Sequence, residues 1–234
     1  MKSKLYLIPN GLGEDSSVDA IPSYVLVIVK TIRCFAVEDE PRAKRFLKRV
    51  DPQFPFPECV FFRLNEHTSR KEVEKFFKET EDHDVGIIAE AGCPCVADPG
   101  ADLVFLAHQR NREVIPLVGP CSILLALMGS GLNGQNFAFN GYLPKERQAR
   151  IKKLKNLEGR SHSEQQTQIF MEAPYRNQSL FQEIIASCHP ETLLCLAADI
   201  TCTTQYIKTL PVKDWASKNP PLEKRPVLFI LHRL

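Results

Sequence analysis

The sequence predicts an α/β protein of two domains, and three observations lead to this prediction. Short apolar runs alternate with longer amphipathic stretches, which is typical of parallel sheets covered by helices. The chain has 234 residues, 44% of them hydrophobic and 25% charged, so it is long enough for two cores and has an ordinary globular composition. The proline- and glycine-containing run 116–120 interrupts the pattern. We therefore expect an N-terminal α/β domain at 1–118 and a C-terminal α/β domain at 119–234.

The first domain is predicted to contain one sheet of five strands with helices between them. Val73, Phe76 and Phe77 recur at helical spacing, while lysines and glutamates cover the opposite face of that helix. Pro22 suits the first turn of an earlier helix. The predicted strands are 4–8, 33–37, 60–64, 85–89 and 113–117, and the predicted helices are 21–32, 42–50 and 69–80.

The second domain is predicted to begin with a helix at 122–129 and to contain a second sheet. Its polar segment 159–166 is rich in Ser, His and Gln, which favours a flexible loop. The predicted strands are 137–142, 168–172, 193–199, 205–209 and 227–232, and the further helices are 148–156 and 177–187.

Composition argues against several classes of function. With 30 basic and 28 acidic side chains, the chain has no global field that would indicate nucleic-acid binding, so any polyanion site must be local. The longest apolar run, 24–29, is far shorter than the roughly 20 residues of a membrane span. We expect a cytosolic protein with no membrane partner. The eight cysteines lack the paired spacing of a zinc site, so we expect core thiols and no metal. Cys93 and Cys95 leave metal or redox chemistry as a minor alternative.

Two loops at predicted strand ends suit a ligand. Segment 89–100 combines small residues with two prolines, which forms a rigid loop that a ligand can approach closely. Segment 117–122 follows another strand and opens an apolar helix with Cys121 or Ser122 as the cap, so its amides are free to bind a polar cofactor edge. Ordinary turns, with Gly92 and Gly100 meeting backbone demands only, are the alternative. Two such loops on neighbouring strand ends favour a shared pocket.

Neither loop is a familiar nucleotide-binding motif. The chain has no G-x-G-x-x-G and no P-loop, and segment 10–13 is too short a glycine signal, so cofactors bound through phosphates are disfavoured.

A different kind of ligand is indicated by a basic segment in the second domain. Its side chains have the density needed to contact RNA phosphates, although a solvated helix face is an equal alternative. They are Lys145, Arg147, Arg150, Lys152, Lys153 and Lys155.

Five motifs, in a fixed order, resemble one known family. They are Glu38-Asp39-x-x-Arg42, Ala91-Gly92-x-Pro94-x-x-x-Asp98-Pro99-Gly100, Pro116-Leu117-x-Gly119-Pro120-Cys121, Gly141-Tyr142-Leu143-Pro144-Lys145 and Phe170-Met171-Glu172-Ala173-Pro174-Tyr175-Arg176. The chain resembles, over nearly its whole length, the small-subunit ribosomal RNA cytidine 2′-O-methyltransferases of the tetrapyrrole (corrin/porphyrin) methylase superfamily. The resemblance implies a parallel-rich N-terminal sheet, a mixed C-terminal sheet, a homodimer, and S-adenosyl-L-methionine in the interdomain cleft.

The resemblance also implies site residues. When the cofactor-binding positions of that family are transferred to this sequence, they fall on ten residues. These are Pro9, Ala91, Gly92, Cys93, Val96, Ser122, Ile123, Met171, Ile200 and Pro226. A ribose hydroxyl must lose its proton during methylation, and the carboxylates in matched motifs that could accept it are Glu172, Asp98 and Glu38. The alternative for each is structural, with Asp98 as a turn residue before Pro99 and Glu38-Asp39 holding Arg42.

The acceptor stays open at this stage. Ala198 and Cys202 stand where the family has an arginine and a lysine, and Lys224-Arg225 replaces a Gly-Glu pair. The basic segment, with Lys145, Arg147, Arg150, Lys152 and Lys153 as candidate contacts, favours RNA. The lost basic positions count against it. The alternatives are methylation of a small molecule such as a tetrapyrrole, and a non-catalytic cofactor-binding dimer.

Overall fold

The protein is described by a computed structural model, which covers residues 3–13 and 18–234. The chain divides into two compact units, Met1–Cys121 and Ser122–Leu234. No helix in the described ranges is long and apolar enough to cross a membrane.

The N-terminal unit contains one parallel sheet, as predicted. Its strands are β1 (Lys4–Ile8), β2 (Cys34–Val37), β3 (Val60–Arg63), β4 (Val85–Ile88) and β5 (Glu113–Pro116), in the spatial order β3-β2-β4-β1-β5. β2 and β4 are buried along their whole length, which is typical of parallel strands covered on both faces. The two ligand-type loops follow β4 and β5, which the sequence analysis expected to be neighbouring strands. This expectation is wrong, because β1 lies between them.

Among the described residues of this unit, four α-helices cover the sheet, namely α1 (Ser23–Val29), α2 (Glu40–Val50), α3 (Arg70–Glu79) and α4 (Ala101–Gln109). α1 is shorter than the predicted helix at 21–32, since Ile21 and Ile32 are buried in the core from the chain on either side of it. α3 begins with a capping box in which Ser69 and Glu72 satisfy each other's backbone amides. The sequence pattern did not predict α4, which follows the glycine–proline loop directly.

Alternating residues of each strand build two hydrophobic clusters in this unit. Phe35 and Val37 of β2 pack with residues of α1 and α2 in one cluster. Cys34 and Ala36 belong to the other cluster, with residues of α3 and α4. Successive strand residues point to opposite faces of a sheet, so one strand contributes to both cores.

The C-terminal unit contains a mixed sheet, which confirms the expectation from the resemblance. Its strands are β6 (Phe137–Tyr142), β7 (Thr167–Met171), β8 (Leu193–Ala198), β9 (Tyr206–Pro211) and β10 (Val227–His232), in the order β6-β7-β10-β8-β9. β6 and β7 run parallel, and the other pairs are antiparallel. β6 is irregular where it holds Gly141, whose φ is +62°.

The helices of this unit are α5 (Ser122–Ser130), α6 (Arg147–Glu164), α7 (Asn177–Ser187) and α8 (Val212–Trp215). The prediction of a flexible loop at 159–166 is wrong, because α6 continues to Glu164. Two buried polar side chains near the end of α6 form hydrogen bonds with residues that are distant in sequence. Glu158 accepts hydrogen bonds from His189 N and Thr192 Oγ1, and Ser161 Oγ accepts one from Arg233 N. A polar segment can therefore be helical when its side chains bond within the fold.

Arg150, expected to contact RNA, is buried between α6 and α7. Its Nε and Nη2 each donate to a carboxylate oxygen of Glu183 at 2.7 Å, and its Nη1 donates to the carbonyl oxygens of Pro144 and Lys145. Both side chains of the ion pair are less than a tenth exposed. The hydrogen bond to Glu183 raises the pKa of Arg150. Arg150 therefore joins two helices and the loop before α6, and it is not on the surface as the sequence analysis expected.

We expect Arg150→Ala to destabilise the protein strongly. Removing one partner of a buried ion pair leaves the other charge uncompensated, which costs about 3–5 kcal/mol. The matched control is Lys152→Ala on the exposed part of the same helix, where we expect a change within about 0.5 kcal/mol. Urea unfolding measures both variants. Equal stability of the two would contradict a structural role for Arg150.

Candidate functional site

The carboxyl ends of all five parallel strands meet at one edge of the N-terminal sheet. In an open α/β sheet this edge is where ligands bind. Pro9 directly follows β1, the loop 89–100 follows β4, and the loop 117–121 follows β5. Because β1 lies between β4 and β5, the two loops flank Pro9. All five N-terminal residues that the resemblance assigned to the cofactor lie in the segments that follow β1 and β4 at this edge, namely Pro9, Ala91, Gly92, Cys93 and Val96.

Asn10 joins the end of β1 to the β4 loop through hydrogen bonds, a role that was not predicted from the sequence. Its backbone N–H donates to Gly92 O at 2.9 Å, and the N–H of Gly92 donates back to Asn10 O at 3.1 Å. The side-chain Nδ2 of Asn10 also donates to Ala89 O and Glu90 O, at 3.1 and 3.2 Å. These bonds hold the β4 loop beside the end of β1. An amide side chain directly after a predicted strand was the signal that could have indicated this role.

Two glycines allow the loops to pack this closely. Gly92 has φ +68°, and a Cβ there would lie 3.0 Å from the Leu12 side chain and 3.4 Å from Pro120 O. Gly119 lies against the ring of Pro9, since a Cβ at Gly119 would lie 2.3 Å from two ring atoms. Any side chain at Gly119 would displace Pro9 or the β5 loop. Gly119 is a positioning residue that was part of a matched motif but not of the predicted site.

Cys93 and Cys95 of the β4 loop are protonated at neutral pH. Burial, and then the neighbouring Cys121 thiol, raise the pKa of Cys93 to about 11. Cys93 Sγ also lies 3.6 Å from Pro120 O, so it contacts both loops. Burial and the charge of Asp98 raise the pKa of Cys95 to about 11. A thiol with such a pKa is a poor nucleophile, because the thiolate is the reactive form. These cysteines pack the loops together.

Two of the candidate catalytic carboxylates, Glu38 and Asp98, line one pocket at this edge together with Glu90. Burial raises the pKa of Asp98 to about 6, and the charges of Glu38 and Glu90 add to this shift. Burial and the charge of Glu90 also raise the pKa of Glu38. Within the described residues, Asp98 Oδ2 is buried and has no hydrogen-bond partner. Asp98 is therefore a carboxylate whose buried oxygen is open to a donor and whose pKa is near neutrality.

The sequence analysis considered that Glu38 and Asp39 together hold Arg42, but in the structure only Asp39 does so. Asp39 caps α2, and its side chain accepts a hydrogen bond from Arg42 N at 2.8 Å. The guanidinium of Arg42 pairs with Glu90, at 2.6 Å between Nη1 and Oε2. Asp39 thus holds the backbone of Arg42, while the Arg42 side chain reaches the β4 loop. Glu38 does not take part in these contacts and lines the pocket with Glu90 and Asp98.

The third candidate carboxylate, Glu172, follows β7 in the C-terminal unit. Its Oε1 accepts hydrogen bonds from Arg176 Nη2 at 2.5 Å and from Ala173 N at 2.8 Å. Its Oε2 is buried without a partner among the residues the structure describes. The partners of Oε1 both lie within four residues of Glu172, so the side chain holds the segment after β7 in shape.

Three predicted cofactor residues of the C-terminal unit lie at one edge of its sheet. Met171 ends β7 and pairs with Leu228, which is two residues after Pro226. Ile200 follows β8, whose last residue, Ala198, pairs with Val227 next to Pro226. The remaining two, Ser122 and Ile123, begin α5, which packs on β8, β9 and β10. Within this unit the structure thus groups Met171, Ile200 and Pro226.

Arg225, which stands where the family has a glutamate, has a structural role at the same edge of this sheet. Arg225 Nε pairs with Asp199 Oδ2 at 2.7 Å, and the Arg225 guanidinium also donates to Pro221 O and Thr204 O. Asp199 and Thr201 both have positive φ, so the loop after β8 is tightly wound. Arg225 therefore fastens this loop to the start of β10.

The basic segment keeps four of its five candidate RNA contacts near the surface. Lys145, Arg147 and Lys152 are exposed, and Lys153 is half-buried. They lie in the loop before α6 and in its first turns, where Glu146 caps the helix through the amides of Gln148 and Ala149. Arg147 lies 3.7 Å from Glu183 but is 74% exposed, so its guanidinium can bind another anion. We call Lys145, Arg147, Lys152 and Lys153 the α6 basic surface.

Several known proteins are similar to this chain in sequence, although no family model matches it. The ribosomal RNA small subunit methyltransferase I of Vibrio cholerae is 27% identical over 97% of this chain and 76% of its own length. The protein of the same name from Escherichia coli O157:H7 is 26% identical over 98% of this chain and 78% of its own. The one from Bacillus subtilis is 30% identical over 174 residues, which are 74% of this chain and 55% of its own.

Solved structures show the same fold. Diphthine synthase superposes with a TM-score of 0.68 at 13% identity, over 98% of this chain and 90% of its own. The methyltransferase CobJ gives a TM-score of 0.64 at 14% identity, over 97% and 93% of the two chains. Cobalt precorrin-4 methyltransferase gives 0.61 at 16% identity, over 98% and 94%. The sequence likeness to the small-subunit ribosomal RNA methyltransferases runs through both units, and the fold is the one that these solved methyltransferases share.

Proposed function

We propose that this chain is an S-adenosyl-L-methionine-dependent methyltransferase that methylates a ribose 2′-hydroxyl of small-subunit ribosomal RNA. The observation that carries the proposal is the carboxyl edge of the N-terminal sheet, where the ligand-type loops meet beside Asp98. The sequence relatives, which are ribosomal RNA small subunit methyltransferases, support RNA as the acceptor over a tetrapyrrole. The homodimer and the cytosolic location stay predictions.

The loops at this edge suit such a cofactor. Gly119 packs against Pro9, and Gly92 packs against Leu12 and Pro120, so these contacts fix the loops in a rigid arrangement at this edge. Residues Ala91, Cys93 and Val96 would complete the contact from the β4 loop. From the C-terminal unit we propose Ser122, Ile123, Met171, Ile200 and Pro226.

The chemistry needs the protein chiefly to position the acceptor and to take up a proton. The cofactor supplies an electrophilic methyl group on a positively charged sulfur. Holding reactants in line can lower a barrier by about 7–11 kcal/mol, because the entropy of bringing them together is already lost on binding. The acceptor hydroxyl forms its new O–C bond as its proton leaves. We assign that proton to Asp98, since a base with a pKa near 6 is charged at neutral pH and still accepts a proton readily.

Gly92→Ala should weaken binding of S-adenosylhomocysteine at least tenfold, which corresponds to about 1.4 kcal/mol. The added methyl group would press on Leu12 and Pro120 and shift both loops. Gly131→Ala is the matched control, since Gly131 has the same φ of +68° but open space around its Cβ. Both variants carry the same backbone penalty. Isothermal titration calorimetry measures the affinity, and equal affinities in the two variants would show that the β4 loop is only a turn.

Asp98→Asn should slow methyl transfer to RNA by about 10²- to 10⁴-fold, the usual contribution of a general base. The wild-type rate should rise through about pH 6, as Asp98 loses its proton, and level off above it, whereas the variant should lack this inflection. Asp102→Asn, an exposed carboxylate in the first turn of α4, is the control. A variant that keeps the wild-type rate and inflection would rule out Asp98 as the base. Calorimetry with S-adenosylhomocysteine separates this loss from a loss of cofactor binding.

Replacing Lys145 and Arg147 with Gln should reduce the salt dependence of RNA binding. Each phosphate contact on a single strand contributes about 0.7 to the slope of log affinity against log salt, so two lost contacts should lower it by about 1.4. The control is Lys208→Gln with Lys218→Gln, which removes two exposed charges elsewhere in the same unit. Fluorescence anisotropy with a labelled ribosomal RNA fragment gives the slopes. The same slope in both double variants would exclude the α6 basic surface from RNA binding.

A further inference from the structure

Two tyrosines of the C-terminal unit expose most of their surface, and the predicted site included neither of them. Tyr175 is 76% exposed and Tyr142 is 61% exposed. Tyr142 is the last residue of β6, and it pairs with Met171, the last residue of β7. Tyr175 follows Met171 closely, in the short 3₁₀ turn Pro174–Arg176. Both tyrosines therefore belong to segments that meet at one edge of the C-terminal sheet.

Tyr175 is held in one orientation although it faces solvent. Arg176 Nη1 donates to the Tyr175 hydroxyl at 2.9 Å, and the guanidinium carbon lies 5.1 Å from the ring centroid. Arg176 in turn donates to Glu172 at 2.5 Å, and the Glu172 side chain is fully buried. A mobile side chain loses rotamer freedom when a ligand binds, which weakens binding. Because the Tyr175 ring is already ordered, a ligand that packs on it avoids this loss.

Exposed positive charge follows Tyr142 in the chain. Lys145 and Arg147 of the α6 basic surface lie shortly after it, and both are exposed. The loop before α6 is held against the helix, because Arg150 Nη1 donates to Pro144 O and Lys145 O at 3.0 and 2.7 Å. Exposed cations beside an exposed aromatic ring are the combination that binds single-stranded nucleic acid. The cations contact phosphates and the rings stack on bases.

The turn with Tyr175 lies close to the same loop. The pKa of Arg150 is raised first by its hydrogen bond to Glu183, and the charges of Glu172 and Arg176 also act on it. Interactions between charges weaken with distance, so Glu172 and Arg176 lie near the guanidinium that holds the loop before α6. The exposed rings and the α6 basic surface thus belong to one region of the C-terminal unit.

The charge of this region favours RNA over a protein partner. Exposed aromatic rings also occur in protein–protein interfaces, but the cores of those interfaces are depleted of lysine. Here Lys145 and Lys152 accompany the rings, and both are exposed. A ligand that satisfies both features has flat apolar faces and a regular series of negative charges, as an RNA strand has.

We infer that the Tyr175 ring stacks on an unpaired base of the RNA acceptor, with Tyr142 as a second ring and the α6 basic surface on the adjoining phosphates. This inference rests on the proposed function and names the form of RNA that this unit recognises, a strand whose bases are unpaired. In a duplex the bases are stacked on each other, so their faces are closed to a side chain. Every base has an aromatic face, so the contact should depend little on sequence.

The test is Tyr175→Leu, which removes the ring at an exposed position where the fold should tolerate it. Tyr175→Phe keeps the ring and removes only the hydroxyl that Arg176 binds. The control is Tyr24→Leu, which removes a half-exposed tyrosine from α1 of the other unit. The probe is a labelled single-stranded fragment of small-subunit ribosomal RNA, and fluorescence anisotropy measures its affinity.

We expect Tyr175→Leu to weaken binding by about 5- to 150-fold, the range for the loss of one stacked base. Tyr175→Phe and Tyr24→Leu should bind as the wild type does. If Tyr175→Phe loses as much affinity as Tyr175→Leu, the hydroxyl and not the ring makes the contact, and stacking is excluded.

Salt and base pairing distinguish stacking from a contact with phosphate. Tyr175→Leu removes no charge, so the slope of log affinity against log salt should stay at the wild-type value. When the fragment is annealed to its complement, Tyr175→Leu and the wild type should bind it equally, because the paired bases are closed to the ring. An equal loss of affinity for single strand and duplex would overturn the inference.

Two further measurements separate this inference from the proposed function. Calorimetry should give the same affinity for S-adenosylhomocysteine in Tyr175→Leu and the wild type, and a loss there would assign Tyr175 to the cofactor edge instead. If the wild type methylates RNA while Tyr175→Leu and Tyr24→Leu bind the single strand equally, Tyr175 is not a stacking residue and the proposed function stands. If the wild type methylates a tetrapyrrole and not RNA, the proposed function fails and the inference fails with it.

Discussion

The candidate site depends on the contact between Gly119 and Pro9. A parallel sheet places all its carboxyl ends at one edge, but loops of ordinary side chains would keep their backbones apart there. Gly119 lies so near the Pro9 ring that it leaves no room for a Cβ, and Gly92 adopts a left-handed conformation under Pro120. With the paired amides of Asn10 and Gly92, these contacts make one rigid surface from three strand ends. A ligand there meets a surface that needs no reorganisation.

Burial, rather than residue type, decides what each charged group of this protein does. Glu183 is a buried carboxylate, and Asp98 is half-buried with one fully buried oxygen. Glu183 is matched by Arg150 in a bidentate pair and serves to join two helices. Burial raises the pKa of Asp98, and the charges of its acidic neighbours Glu38 and Glu90 add to the shift. Within the described part of the chain, its buried Oδ2 has no hydrogen-bond partner. An unmatched buried carboxylate is costly for stability, and such groups are found where function requires them.

The departures from the family pattern look less damaging to RNA binding once the fold is known. The Arg225 that replaces a family residue is used to fasten the loop after β8. Of the five candidate RNA contacts near Pro144, Arg150 is buried and the other four form the α6 basic surface. In the other unit, Arg42, Arg45 and Arg49 of α2 line a pocket beside the β4 loop. Positive charge is thus present on both units, although the net charge of the chain is only +2.

The sequence by itself determined the fold class, the strands and the loops that carry the site. Strands such as Lys4–Ile8 and Phe137–Tyr142 begin and end where predicted, because apolar runs bounded by turn residues reflect local physics. The glycine-rich loops were recognisable for the same reason, since glycine marks backbone that other residues cannot adopt. The family resemblance supplied the cofactor and the candidate residues.

Only the tertiary structure decided what depends on residues distant in sequence. The helix through 159–164 is polar, yet Glu158 and Ser161 find partners from other elements, so polarity was misleading there. The burial of Arg150 required a glutamate 33 residues away, and the role of Asn10 required a loop 79 residues away. The row of arginines on α2 could be counted in the sequence, but its position beside the β4 loop follows from strand order. Hydrogen bonds, ion pairs and pKa shifts act through space, and a linear pattern does not contain those distances.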